Sequence, residues 1–143
     1  MHERAGTPAR SSDLVDLAKL TAAYFELKPD VSLASQKVTF GTSGHRGSSL
    51  NTSFNEQHIL AITQAIVEYR RAQNINGPIY VGRDTHALSE PAQQSVLEVL
   101  AGNDVVALVV ASSSRQAEDT VGAVLLGHIV LGLGVGGRDL VLF

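Results

Sequence analysis

The sequence predicts an α/β fold built around a parallel pair of strands. Residues 79–81 and 105–110 are short apolar runs that are typical of buried strands. A helical pattern lies between them, with Pro91 in its first turn and Gly102 placed to adopt the left-handed stop. Strand, helix and strand within about thirty residues indicate a βαβ unit, in which the second strand runs parallel to the first.

Composition and charge limit the classes of function. The chain has 143 residues, of which 44% are hydrophobic and 17% are charged, with a formal net charge of -3 and no cysteine. These values favour one folded domain and exclude disulfides, Cys-based zinc sites and a cysteine nucleophile. We expect no nucleic-acid partner, because the chain lacks a strongly basic field. We also expect cytoplasmic localisation, because the first ten residues contain no apolar run of a signal peptide.

The N-terminal part predicts an arm followed by a helix. Residues 1–12 contain no apolar run, and we interpret them as a flexible arm. From Asp13, apolar residues recur at steps of three and four, with Ser12 or Asp13 available as the cap. We expect this helix to end before Pro29, which cannot continue the hydrogen-bond ladder.

A short strand and a second helix follow. Residues 37–40 form a β-rich run that leads into a segment with glycine at positions 41, 44 and 47. Ser53 and Glu56 have the spacing of a capping box, and the apolar face after them predicts a helix that runs to about Ala72.

The glycine-rich segment carries four side chains suited to phosphate. Thr42 and Ser43 supply hydroxyls, His45 an imidazole and Arg46 a guanidinium. Arginine presents a fork of donors that matches phosphate oxygens, and glycines allow the backbone to approach a ligand closely. The alternative interpretation is a tight turn with a solvated arginine. The segment is not a P-loop, because the lysine and the second glycine at the required spacing are missing.

Arg83 and Asp84 are weaker candidates for the site. They follow the strand at residues 79–81, at the edge where α/β proteins tend to place functional loops. An arginine and an aspartate at this position are equally suited to holding the loop together, so a structural role is the alternative interpretation.

Three motifs in this order resemble the bacterial phosphoglucomutases of the α-D-phosphohexomutase superfamily. They are FGTSGHRG at residues 40–47, FNEQHILAITQAI at residues 54–66 and VGRDTHALSEPA at residues 81–92. The similarity extends to RAG at residues 4–6 and LKPD at residues 27–30, and covers roughly residues 4–108.

The resemblance implies a fold, a reaction and cofactors. The fold is a three-layer α/β/α-type domain I with a mixed, mostly parallel sheet. The reaction is the exchange of glucose 1-phosphate and glucose 6-phosphate by an intramolecular phosphotransferase. It proceeds through a phosphoserine and glucose 1,6-bisphosphate, with Mg²⁺ at the serine. In that family the loop borders the phosphoserine, so Arg46 is expected to contact phosphate, with Thr42, Ser43 and His45 in support.

The sequence departs from the family before the catalytic serine loop. The family's Thr-Pro-Thr-Pro and Ser-His-Asn-Pro segments do not occur in these residues, and neither do its metal loop and sugar loop. We therefore expect no catalytic residue and no metal ligand here, no tightly bound cofactor, and no activity of this chain alone. The alternative function is a non-catalytic module that binds a phosphosugar or a protein partner.

The last part of the chain needs a separate interpretation. We divide the sequence into the arm at residues 1–12, a partial domain I at residues 13–110 and an apolar, glycine-rich tail at residues 111–143. A frameshifted or truncated gene, a short paralogue and a fusion would each explain the tail, and the first is preferred because the change is abrupt. We expect no membrane partner, because residues 120–137 are rich in glycine and have few basic neighbours.

Overall fold

The computed structural model describes residues 4–41, 44–110, 132–133 and 139–142 of the chain. Its α-helices are α1 (Leu17–Glu26), α2 (Glu56–Ala72) and α3 (Ser89–Gly102). Its strands are β1 (Phe40–Gly41), β2 (Gly44–His45), β3 (Ile79–Gly82), β4 (Ala107–Val110), β5 (Gly132–Leu133) and β6 (Asp139–Leu142). Short 3₁₀ turns occupy Ser11–Asp13, Ala34–Gln36 and Ser49–Asn51.

The larger sheet is mixed and mostly parallel, as predicted. Its strand order is β4-β3-β6-β5. β3 runs parallel to β4 on one side and to β6 on the other, and β5 is antiparallel to β6. The connection from β3 through α3 to β4 is the expected βαβ unit, with Ile79 opposite Ala107 at the start of the register. The fold class predicted from the sequence is therefore confirmed.

One hydrophobic cluster joins the three α-helices to β3. Its fully enclosed members include Tyr24 of α1, Ile59 of α2, Val81 of β3 and Val96 of α3. The Tyr24 hydroxyl lies 2.9 Å from Oγ of Ser95 inside this cluster, so α1 and α3 are joined by a polar contact as well. Burial raises the pKa of Tyr24, which keeps the hydroxyl protonated.

The predicted helix starts are wrong by a few residues. α1 is capped by Asp16, whose Oδ1 accepts from the Lys19 backbone N at 3.0 Å, rather than by Ser12 or Asp13. An acidic side chain at that position satisfies a backbone donor that the helix itself leaves unpaired. Residues 11–13 form a separate 3₁₀ turn ahead of the helix.

Two other boundaries differ because side chains have other partners. Ser53 does not cap α2; its hydroxyl bonds the backbone of Ser48, and Asn55 is the N-cap. Gly102 ends α3 without a left-handed conformation, which Asp104 adopts instead with φ of 57°. Strand pairing also begins later than predicted, at Phe40 and at Ala107.

The N-terminal arm contacts the turn that follows it. Nη1 of Arg4 donates to Oδ1 of Asp13 at 2.9 Å. Within the part of the chain that the structure describes, no helix is long and apolar enough to cross a membrane. Most of residues 120–137 lie outside that part.

Candidate functional site

The glycine-rich segment forms a small antiparallel hairpin. β1 and β2 pair with each other apart from the larger sheet. Gly44 has φ of 92°, a conformation that glycine adopts easily because it has no Cβ. Two of the predicted site residues, Thr42 and Ser43, lie outside the described residues. We call residues 44–48, which comprise β2 and the three residues after it, the Arg46 loop.

His45 anchors the beginning of the Arg46 loop in the protein interior. Its side chain is buried, and its ring stacks on Phe54 with ring centroids 5.9 Å apart and planes 11° apart. Nδ1 lies 3.2 Å from both the backbone N and the backbone O of Thr39. Burial lowers the pKa of His45. Its ring is therefore held neutral against the core.

Gly47 anchors the other end of the loop by close backbone contact. A Cβ at this position would lie 2.2 Å from the backbone O of Ser53, so only glycine fits without movement. Next to this contact, the Ser48 backbone N donates to Oγ of Ser53 at 3.1 Å. The Ser53 backbone N donates in return to the Ser48 carbonyl, also at 3.1 Å. The chain after Arg46 is thus fixed to the segment that precedes α2.

Arg46 lies between these two anchors with its side chain exposed. The guanidinium makes no hydrogen bond or ion pair with any residue that the structure describes. A guanidinium has five N–H donors in a planar fork, and all of them remain available to a ligand here. The arrangement presents one unpaired positive charge from a fixed backbone, which suits the binding of an anion such as phosphate.

His58 is the residue of the site that the sequence interpretation missed. It lies in the first turn of α2, is 2% exposed, and its ring centroid is 5.2 Å from that of His45. Nδ1 of His58 accepts from the Asn55 backbone N at 3.0 Å, and Nε2 donates to the Gln36 carbonyl at 2.8 Å. The sequence feature that could have identified His58 is its place at the third helical position after an Asn cap, where the usual capping pattern has Glu or Gln.

Arg83 and Asp84 are occupied by contacts within their own segment. Nη1 of Arg83 lies 3.2 Å from Oε2 of Glu90 in an exposed ion pair. Oδ1 of Asp84 accepts from the His86 backbone N at 2.8 Å and from the Ser89 hydroxyl. These contacts tie the turn between β3 and α3. Arg83 also lines a shallow surface cleft of about 470 Å³ along α3.

The described residues contain no candidate metal site. No group of three or more His, Asp or Glu side chains gathers there in a way that would hold an ion. The Arg46 loop brings together imidazole, guanidinium and hydroxyl groups, whereas Mg²⁺ is bound through carboxylate and other oxygens. The described part of the chain therefore does not fit the metal that the resemblance implies.

The Arg46 loop lies in a segment that matches a known protein family. The family described as phosphoglucomutase/phosphomannomutase, alpha/beta/alpha domain I, matches residues 37–125. A phosphoglucomutase of Komagataeibacter xylinus is 57% identical over 101 residues. That similarity covers 71% of this chain and 18% of the relative, so the chain spans less than a fifth of that protein's length. The family match includes the hairpin, the Arg46 loop, α2 and the βαβ unit.

Proposed function

The chain belongs to the phosphoglucomutase/phosphomannomutase family through its α/β/α domain I, and from this we propose that it binds the phosphate of a phosphosugar at Arg46. The whole protein would interconvert glucose 1-phosphate and glucose 6-phosphate as an intramolecular phosphotransferase in carbohydrate metabolism. The 143 residues would contribute one part of that site and would not turn over substrate by themselves.

One observation carries the proposal: Arg46 is exposed, has no partner among the residues that the structure describes, and lies between two residues whose positions are fixed. Phosphoryl transfer gains mainly from positioning and from fixed positive charge around the migrating group. An arginine held by its neighbours on both sides supplies that charge at a defined place. A charge-assisted hydrogen bond contributes about 1.5–3 kcal/mol, so loss of this side chain should weaken binding about 10- to 100-fold.

The other candidates would act around Arg46 in different ways. The buried ring of His45 would hold the loop, whereas Thr42 and Ser43 would add hydroxyl contacts to a bound phosphate. Arg83 and Asp84 would keep the neighbouring turn in place through Glu90 and Ser89. Mg²⁺ would need ligands from elsewhere in the whole protein, because the described residues do not gather a group that would hold it.

A binding experiment tests the role of Arg46. The 143-residue chain is titrated with inorganic phosphate and with α-D-glucose 1-phosphate, and binding is followed by NMR. Arg46→Ala should weaken binding about 10- to 100-fold, and Arg46→Lys should weaken it less, because lysine keeps the charge but not the fork. Arg71→Ala is the matched control, since it removes an exposed arginine from α2 whose side chain donates to the Asn103 carbonyl. Equal binding by Arg46→Ala and Arg71→Ala would refute the proposal.

A coupled assay separates the enzyme fragment from the non-catalytic module. The chain is supplied with glucose 1-phosphate, glucose 1,6-bisphosphate and Mg²⁺, and we expect no glucose 6-phosphate to form. Turnover that disappears in Arg46→Ala would show that the chain is catalytically sufficient. Binding without turnover, restored to activity when the remaining length of a homologous phosphoglucomutase is supplied, would identify the chain as a fragment rather than an independent module.

A further inference from the structure

We propose that His58 is a positioning residue that holds both strands of the β1–β2 hairpin and thereby fixes the Arg46 loop. The inference rests on the proposed role of Arg46 in binding phosphate, and it assigns a role to a residue outside the glycine-rich segment. His58 lies on α2, 12 positions after Arg46 in the sequence, and its own ring is buried.

The two nitrogens of the His58 ring have different and complementary partners. The Asn55 backbone N donates to Nδ1 at 3.0 Å, so Nδ1 carries no proton. The ring proton is therefore on Nε2, which donates to the Gln36 carbonyl at 2.8 Å. Both bonds are satisfied by one tautomer, and the ring orientation is fixed as a result.

These contacts reach the hairpin from both sides. Gln36 precedes β1 by a few residues, so the bond from Nε2 holds the chain that enters the first strand. His45 belongs to β2, and its ring lies 5.2 Å from the His58 ring with the planes 32° apart. Each strand is only two residues long. Such a hairpin is not stable by itself, so its position depends on contacts with the rest of the protein.

His58 also has a second role, at the start of α2. The bond between Asn55 N and Nδ1 also satisfies a donor at the start of α2, so removal of His58 weakens the helix start as well. A residue that only capped α2 would affect the amides of that helix first. A residue that positions the loop would affect the amides of residues 44–48 while α2 remains protected.

Two variants distinguish these roles. His58→Asn keeps an acceptor near the position of Nδ1 for the Asn55 backbone N, but it is too short to reach Gln36 and has no ring against His45. His58→Phe keeps a ring against His45 but removes both hydrogen bonds. Thr63→Val is the matched control, because Thr63 is buried on the same helix and its hydroxyl donates to the Ile59 carbonyl within that helix.

The first measurement is amide hydrogen exchange of the full 143-residue chain without ligand. In His58→Asn, exchange of residues 44–48 should become faster while the amides of α2 keep their protection. In His58→Phe, faster exchange should include both the loop and the first turn of α2. Thr63→Val should leave the loop unchanged. Loop exchange equal to that of the wild type in both His58 variants would overturn the inference.

The second measurement is the affinity for inorganic phosphate. If only about a tenth of the molecules keep the binding-competent loop, the apparent Kd rises about 10-fold. We expect that rise in His58→Asn and no rise in Thr63→Val; equal affinity in the two variants would overturn the inference. Arg46→Ala is measured in parallel: if it leaves phosphate affinity unchanged, the proposed function fails, whereas the exchange experiment still decides whether His58 holds the loop.

Discussion

Replacement of Gly47 by alanine should disrupt the Arg46 loop by a steric conflict whose size the structure defines. The new Cβ would lie 2.2 Å from the Ser53 carbonyl O and 2.6 Å from its carbonyl C, and both distances are well below an ordinary contact of 3.4 Å. Both opposing atoms belong to the backbone, so the conflict is relieved only if the loop moves away. Three hydrogen bonds join Ser48 and Ser53, and that movement breaks the two that the backbone N–H groups donate, each of which contributes about 1 kcal/mol.

The expected loss of stability is therefore about 1–2 kcal/mol. Two lost bonds cost about 2 kcal/mol, and alanine returns about 0.4–1 kcal/mol by restricting the unfolded chain. For a chain of this size the melting temperature should fall by roughly 2–8 °C. Phosphate binding should weaken as well, because Arg46 directly precedes the displaced residue.

Thermal and urea unfolding measure the effect, with Gly102→Ala as the matched control. Gly102 closes α3, and a Cβ there would meet nothing within 4 Å. Alanine is the better helix former, so this variant should be at least as stable as the wild type. If Gly47→Ala unfolds at the same urea concentration as Gly102→Ala, the close contact with Ser53 does not restrain the loop and the reasoning is wrong.

Three further predictions concern the surroundings of the site. Tyr24→Phe removes the buried bond to Ser95 and should cost about 1 kcal/mol in urea unfolding, with phosphate affinity unchanged; a weakened affinity would contradict the separation of core and loop. Asp84→Ala removes the acceptor for the His86 backbone N and the Ser89 hydroxyl and should lower stability by about 1 kcal/mol without abolishing phosphate binding, whereas abolished binding would place Asp84 in the site. Because burial lowers the pKa of His45 in the folded state, the unfolded chain gains a proton more readily as the pH falls below about 6.5. Stability should therefore decline below that pH, and His45→Asn should decline less between pH 7.5 and 5.5; an equal decline would assign the effect to another group.

The regular elements followed from the sequence because their signals are local. The apolar run at residues 79–81 and the helical pattern after it correspond to β3 and α3, and the parallel pairing of β3 with β4 follows from their connection. The end of α2 at Ala72 agrees with its apolar periodicity. The spacing of apolar residues shows which face of a helix or strand is buried, and that burial determines which residues form the element.

The caps were less predictable because several polar residues compete for the same donors. Ser53 and Glu56 have the spacing of a capping box, yet the Ser53 hydroxyl is used by Ser48. That contact depends on the loop folding back against the segment before α2, which spacing alone does not encode. His58 was missed for the same reason, since its partner Gln36 is 22 positions away in the sequence.

The arrangement around Arg46 also sets how strongly the loop can bind phosphate. The backbone on both sides is ordered when the chain folds, through His45 and Gly47, so phosphate binding does not have to restrict it. The remaining cost is the freedom of the arginine side chain, about 2 kcal/mol, against a gain of about 1.5–3 kcal/mol for each charge-assisted bond. One arginine making two such bonds leaves only a few kcal/mol, and a binding free energy of about -4 kcal/mol corresponds to a Kd on the order of 1 mM. We therefore expect inorganic phosphate to bind weakly, and a micromolar Kd would mean that further groups, beginning with Thr42 and Ser43, contact the ligand.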